Sequence, residues 1–154
     1  MKSKVGLRVM IGISLFAIFF FSNFYLFFSE CTYEIKTGNI LTVDDDKKEC
    51  PYADYTSIQE AINNASTGDT IFVYNGIYSE NIIVNKSITL IGENKNKTII
   101  DGGEKDSVVY ILADEVKISG FTIKNSGNDV LDAGIKLFSN YSTISDNNIC
   151  LLYT

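Results

Sequence analysis

The sequence contains no histidine, two methionines, three cysteines and a single arginine, Arg8, among its 154 residues. Each shortage closes a route. Without histidine the commonest general base near neutral pH is missing. With no methionine after Met10 and only scattered cysteines, copper has no ligand set of the usual soft or imidazole type. Lysine is then the only strong cation beyond the N-terminus. Removing Lys2, Lys4 and Arg8 leaves 10 basic residues against 19 acidic ones, a net charge of −9 for the remainder. That balance argues against nucleic acid as a partner.

What is present begins with a long apolar run. Lys2, Lys4 and Arg8 precede residues 9–28, in which Ser14, Ser22, Asn23 and Tyr25 are the only polar side chains. At about 1.5 Å per residue such a run can cross the hydrocarbon core of a bilayer. The basic flank predicts that the N-terminus stays in the cytoplasm and that everything after Phe28 lies outside. Phe28-Ser29-Glu30-Cys31 gives no convincing cleavage site, so an uncleaved signal anchor is the preferred reading of residues 1–28. A cleaved signal peptide, which would release the chain to the exterior or the cell surface, is the alternative. A buried core helix and a lipoprotein site at Cys31 are weaker ones. Residues 29–52 read as a linker holding a first strand, Ile40 to Val43, and residues 53–154 as the main domain.

The C-terminal half carries a repeat. Apolar residues recur at a spacing of 26: Val109 maps onto Ile135, Ile111 onto Leu137, Ile118 onto Ile144 and Ile123 onto Ile149. The unit before repeats at 28, with Ile88 onto Val116, Leu90 onto Ile118 and Gly92 onto Gly120. Within each unit apolar and polar residues alternate, as in Val116-Lys117-Ile118, which is the period of a strand buried on one face. Further strands are expected at Thr70 to Tyr74, Asn81 to Val84, Ser87 to Ile91 and Thr98 to Asp101. Asn75-Gly76 suits a two-residue antiparallel hairpin or a tight corner. A repeat of this length holding three short strands favours the corner, because one coil of a parallel β-helix needs that many residues. Thr56-Ser57-Ile58-Gln59 has the form of a capping box, and Ile58, Ala61, Ile62 and Ala65 follow at helical spacing. The reading is a short amphipathic helix over Thr56 to Ala65 that covers the first coil of the stack.

Thr56-Ser57-Ile58-Gln59-Glu60-Ala61-Ile62, Gly68-Asp69-Thr70-Ile71, Gly76-Ile77-Tyr78-Ser79-Glu80 and Ile88-Thr89-Leu90-Ile91-Gly92 together resemble the N-terminal rungs of pectin-lyase-like proteins. The resemblance runs from about residue 40 to residue 149 and implies an all-β, right-handed parallel β-helix with an N-terminal capping helix. Its members include pectin methylesterases, copper-binding accessory proteins of nitrous-oxide reductase maturation, and repeat proteins of archaeal and bacterial surfaces. The matching residues are scaffold positions, so the resemblance implies no activity.

Chemistry is thinly represented. Lyases of this fold generally use a basic residue, usually arginine, and its pectin esterases pair aspartates with an arginine; the one arginine here precedes the apolar run. Lys117, Lys124 and Lys136 are expected to point outward, and Asp114-Glu115 and Asp129 with Asp132 read as turn residues. No catalytic or cofactor-binding residue is therefore assigned. Calcium, which takes only oxygen ligands, has Asp44, Asp45, Asp46 and Asp101 as weak candidates, with a solvated acidic loop preferred. Cys31 and Cys50 are a candidate disulfide outside the cytoplasm, which would leave Cys150 unpaired, and isolated thiols are as good a reading. Asn-x-Ser/Thr sequons at Asn64, Asn85, Asn96 and Asn140 permit glycosylation. Asn125 and Asn147 are expected to form structural ladders inside the turns.

The preferred function is a non-catalytic, exported or membrane-anchored β-helix for cell-surface structure, adhesion or polysaccharide binding. One alternative is the N-terminal piece of an extracellular carbohydrate-active enzyme, a lyase or esterase, whose catalytic groups lie in later rungs. Another is an accessory protein for metalloenzyme maturation with metal ligands downstream. The rung ending at Ile149 is followed by no polar cap, so the chain is expected to be a fragment, with self-association at the open rung as a further possibility.

Overall fold

The computed structural model describes residues 38–150. The apolar run at 9–28 and Cys31 lie outside the described residues, and with them the expected membrane anchor and the Cys31–Cys50 pair. No helix among the described residues is long and apolar enough to cross a membrane.

The described chain coils through three parallel sheets. β1 (Ile40–Val43), β2 (Thr70–Val73), β5 (Thr89–Gly92), β8 (Lys117–Ser119) and β11 (Thr143–Ser145) form the first, in the order β1-β2-β5-β8-β11. β3 (Gly76–Tyr78), β6 (Thr98–Asp101), β9 (Thr122–Lys124) and β12 (Asn148–Cys150) form the second. β4 (Ile82–Val84), β7 (Val109–Ile111) and β10 (Ile135–Leu137) form the third. Beyond the first strand of each sheet, every strand pairs in parallel with the strand one coil earlier. Asn75-Gly76 is thus a corner between sheets. A hairpin there would have paired β2 with β3, whereas β2 pairs with β1 and β5.

The expected repeats are the observed registers. Ile135 faces Val109, Leu137 faces Ile111, Ile144 faces Ile118 and Ile149 faces Ile123. Leu90 faces Ile118 one unit earlier. These side chains, with Ile71, Val73, Ile82, Val84 and Ile100, fill the interior of the coil and are fully buried except in the last rung. There Leu137, Ile144 and Ile149 are 48, 36 and 47 % exposed. β1 is the expected first strand; it pairs in register with β2, Leu41 opposite Ile71 and Val43 opposite Val73, so the stack already includes this part of the stretch read as a linker. Alternation over Ile40 to Val43 gives the strand one apolar face, and the coil offers the matching surface.

At one level the glycines are dictated by contact. A Cβ on Gly92 would lie 2.3 Å from the Gly120 carbonyl oxygen, and one on Gly120 2.2 Å from that of Gly92. The repeat of glycine at 28 residues is therefore a point where two corners touch backbone to backbone.

The capping helix is α1 (Ile58–Asn64), and it packs on β4, β1 and β2 through Ile58, Ala61 and Ile62. Its bounds differ from the expected ones by one cap. Ser57, not Thr56, is the N-cap, accepting the Glu60 amide on its hydroxyl at 3.3 Å. Gln59 is free of the capping box because its side chain is engaged elsewhere.

Candidate functional site

The polar residues of the N-terminal end close strand edges. Gln59 accepts the Ile83 amide at 2.7 Å on Oε1, and its Nε2 faces the Ile83 carbonyl at 3.4 Å, so the side-chain amide completes the edge of β4. Asp45 accepts the Ile77 amide on β3 at 3.1 Å. Asp54 accepts both the amide and the hydroxyl of Thr42 on β1, at 3.0 and 2.8 Å. The first strand of every sheet thus finds partners for amides that would otherwise be open.

Helix α1 is held by β4's flanks. Glu80 accepts the Ile58 and Gln59 amides and the Ser57 hydroxyl, at 3.0, 2.9 and 2.8 Å. Lys86 donates to the carbonyls of Ile62, Asn63 and Ala65, at 3.0, 2.7 and 2.8 Å. A carboxylate at the N-terminus and an ammonium at the C-terminus suit the helix dipole. None of these roles was visible in the sequence, because the partners lie more than 20 residues away; only the chemical types of Glu80 and Lys86 hinted at them.

The acidic loop is not simply solvated. Asp44 is fully buried and accepts the amides of Asp46, Lys47 and Cys50, at 3.4, 3.0 and 2.5 Å. Burial is possible because backbone donors replace water around the carboxylate. Asp44, Asp46 and Glu49 bring one carboxylate oxygen each within 4.8 Å of one another. Asp45 turns instead to β3, and Asp101 lies on β6, so the four expected calcium candidates do not form one group. Lys48 bonds the Asp46 side chain at 2.5 Å and holds its carboxyl below the ordinary range. Cys50 is half-buried, and its side chain beside Tyr74 pushes that phenol up.

On the coil's flank, Asp101 is contacted by the Asn125 amide at 2.9 and 3.0 Å, the Gly103 amide at 3.0 Å and Lys124 at 3.3 Å. Burial works against its charge, but these donors outweigh it and hold the carboxyl low. Lys136 lies 5.1 Å from the centre of the Tyr110 ring, whose hydroxyl donates to Asp106 at 2.6 Å. Lys117 is exposed on the first sheet. Asn147 accepts the Phe121 amide at 3.0 Å and donates to the Ile118 carbonyl at 3.0 Å, bridging two coils through the backbone of the preceding one. Asp132 accepts the Asp129 amide at 3.0 Å, as turn residues do, whereas Asp114 accepts the Asn140 amide at 2.7 Å from the next coil.

A shallow groove of about 490 Å³ follows the corner between the third and first sheets. Thr67, Ser87 and Thr89, the Lys117 and Glu115 charges, and the Tyr141 ring line it. Tyr141 is 88 % exposed, at a backbone φ of 57°. Hydroxyls, one charge of each sign and an exposed ring are groups that can hydrogen-bond and stack against a polar chain. All four sequon asparagines are exposed.

No family model matches the chain. A cell surface glycoprotein of Methanothermus fervidus is 42 % identical over 79 residues, which span 49 % of this chain and 13 % of that relative. Among solved structures, pectin methylesterase from carrot aligns with a TM-score of 0.60 at 20 % identity, over 71 % of this chain and 39 % of its own. A pectin methylesterase in complex with a hexasaccharide aligns at 0.58 with 16 % identity, over 72 % and 45 %. The enzyme PemA from Erwinia chrysanthemi aligns at 0.52 with 15 % identity, over 73 % and 45 %. At such identities the likeness is one of fold. The stacked sheets, the in-register rungs and these neighbours show that the described chain has a parallel β-helix fold like that of the pectin methylesterases.

Proposed function

We propose that this chain is a non-catalytic β-helix of the cell surface, serving as a structural scaffold. The carrying observation is the identity of 42 % over 79 residues with a cell surface glycoprotein. The composition of the coil is consistent with it: outside the apolar run and its basic flank the chain has neither histidine nor arginine. Residues 9–28 would bring the coil to the exterior as a signal anchor, or release it there if cleaved. Envelope polysaccharide is the partner that suits the outer row Thr70, Thr89, Lys117 and Thr143, whose register aligns them along the first sheet. The pectin methylesterase likeness carries no esterase activity to this chain.

The test is labelling of intact native cells with a membrane-impermeant amine reagent, followed by isolation of the protein. Lysines such as Lys117 and Lys136 should be modified in unbroken cells. Labelling only after lysis would overturn the proposal.

A further inference from the structure

The corner between the third and first sheets stacks three equivalent turns. Residues 85–88 follow β4, 112–116 follow β7 and 138–142 follow β10. Their backbones are joined: the Lys117 amide donates to Ile88, the Glu115 amide to Asn140 and the Thr143 amide to Val116. Two of the three turns carry a sequon, Asn85-Lys86-Ser87 and Asn140-Tyr141-Ser142; the one between them carries Asp114-Glu115-Val116.

The four sequons differ in what their groups are doing. The Asn96 sequon ends in Thr98, which is fully buried on β6 with its hydroxyl 3.3 Å from the Asn94 amide that donates to it. The Asn64 side chain donates to the Glu60 carbonyl at 2.9 Å and closes the end of α1. Asn85, by contrast, is exposed with no side-chain hydrogen bond among the described residues. Asn140 is exposed and its side chain makes only a long contact, Nδ2 to Asp114 at 3.4 Å; its sequon hydroxyl, Ser142, accepts the Val116 amide at 3.2 Å but is half-buried where Thr98 is fully buried.

From this difference we infer that Asn85 and Asn140 are N-glycosylated and that their glycans form one column along this corner. The inference rests on the proposed surface location, since the donor is met outside the cytoplasm. Each Nδ2 forms a bond to the anomeric carbon of a lipid-pyrophosphate-linked oligosaccharide. The bond from that carbon to the phosphate oxygen breaks, the lipid pyrophosphate leaves, and the amide gives up one proton. Successive rungs lie about 4.8 Å apart, too close for two branched sugars side by side, so a turn without a sequon between the two gives each room. The groove lined by Ser87, Thr89, Lys117 and Tyr141 runs between the two attachment points. The outer faces of the second and third sheets remain bare.

Glycopeptide mass spectrometry of the protein isolated from its native cells tests this, run beside the amine labelling. Peptides containing Asn85 and Asn140 should each carry a glycan, and the peptide containing Asn96 none. Expressed in the same cells, Asn85→Gln, Ser87→Ala and Asn140→Gln should each remove the mass of one glycan from the intact protein, with an unchanged circular dichroism spectrum. A chain labelled on intact cells but bare at either Asn85 or Asn140 overturns this inference and leaves the surface location standing. A glycan on Asn96 in the folded chain overturns it equally. A chain that is neither labelled nor glycosylated overturns both.

Discussion

The side-chain amide of Gln59 stands in for a strand opposite Ile83, accepting its N–H at 2.7 Å and offering Nε2 to its C=O at 3.4 Å. β4 is the edge of its sheet, so a helix residue finishes the ladder that no earlier strand supplies. A parallel stack grows by adding strands, and this contact stops growth in one direction.

Replacing Gln59 by alanine leaves the Ile83 edge unpaired. The expected loss is about 1–2 kcal/mol of stability, with faster hydrogen exchange at the Ile83 amide than at Tyr110 on β7. Urea unfolding and amide exchange would measure both. Unchanged exchange at Ile83 would mean that the edge is not protected by Gln59.

At the Gly92–Gly120 contact a methyl group has no room. Gly92→Ala places Cβ 2.3 Å from a carbonyl oxygen, and Gly120→Ala meets a similar clash at a φ of 84°. Overpacking of this kind costs about 1–3 kcal/mol, and the second variant should lose more because an L-residue also strains there. Thermal melts of the two variants give the order.

Acid should weaken the coil through Asp101 and Asp106. The Tyr110 hydroxyl, then the Ser107 amide, hold the Asp106 carboxyl low, and the Asn125, Gly103 and Lys124 donors do so for Asp101 against its burial. Both folded values lie below the unfolded one of about 3.9. Their stabilisation is thus fully present above that pH and is lost as pH falls through the folded values. Urea midpoints between pH 7 and pH 2 should drop more for the natural chain than for Asp101→Asn, whose side chain no longer titrates.

Tyr78 should behave in the opposite sense. Its ring is 2 % exposed and its hydroxyl donates to the Tyr74 carbonyl at 3.0 Å, while burial pushes the phenol well above its ordinary value of about 10. The neutral form is favoured in the fold, so stability is intact below the unfolded value and falls as pH rises past it. Ultraviolet titration should find one phenol that ionises only with unfolding, and Tyr78→Phe should abolish that phase.

The stack was legible because its interior is written as a period. Val109 with Ile135, and Ile118 with Ile144, were aligned by counting residues, and those pairs are neighbours in the sheets. The same counting left β1 outside the stack, since one strand shows no repeat by itself, and the capping-box pattern put the helix cap at Thr56. The acidic loop reads as solvated from its composition, whereas Asp44 is buried under three amides.

By itself, then, the sequence determined the coil: alternating apolar residues have one buried face, and their recurrence at 26 and 28 residues sets which strand lies on which. It also determined the chemical inventory, a chain of lysines and carboxylates with no histidine. Only the tertiary structure decided what the polar residues do. Gln59 and Ile83 are 24 residues apart, Asp45 and Ile77 are 32, and Glu80 and Ile58 are 22. A hydrogen bond depends on ångström-scale placement of two groups and leaves no period in the chain, whereas burial is collective and does. The same reason separates the sequons: four triplets look alike as text, and only the coil puts the Thr98 hydroxyl inside and Asn85 and Asn140 out on one corner.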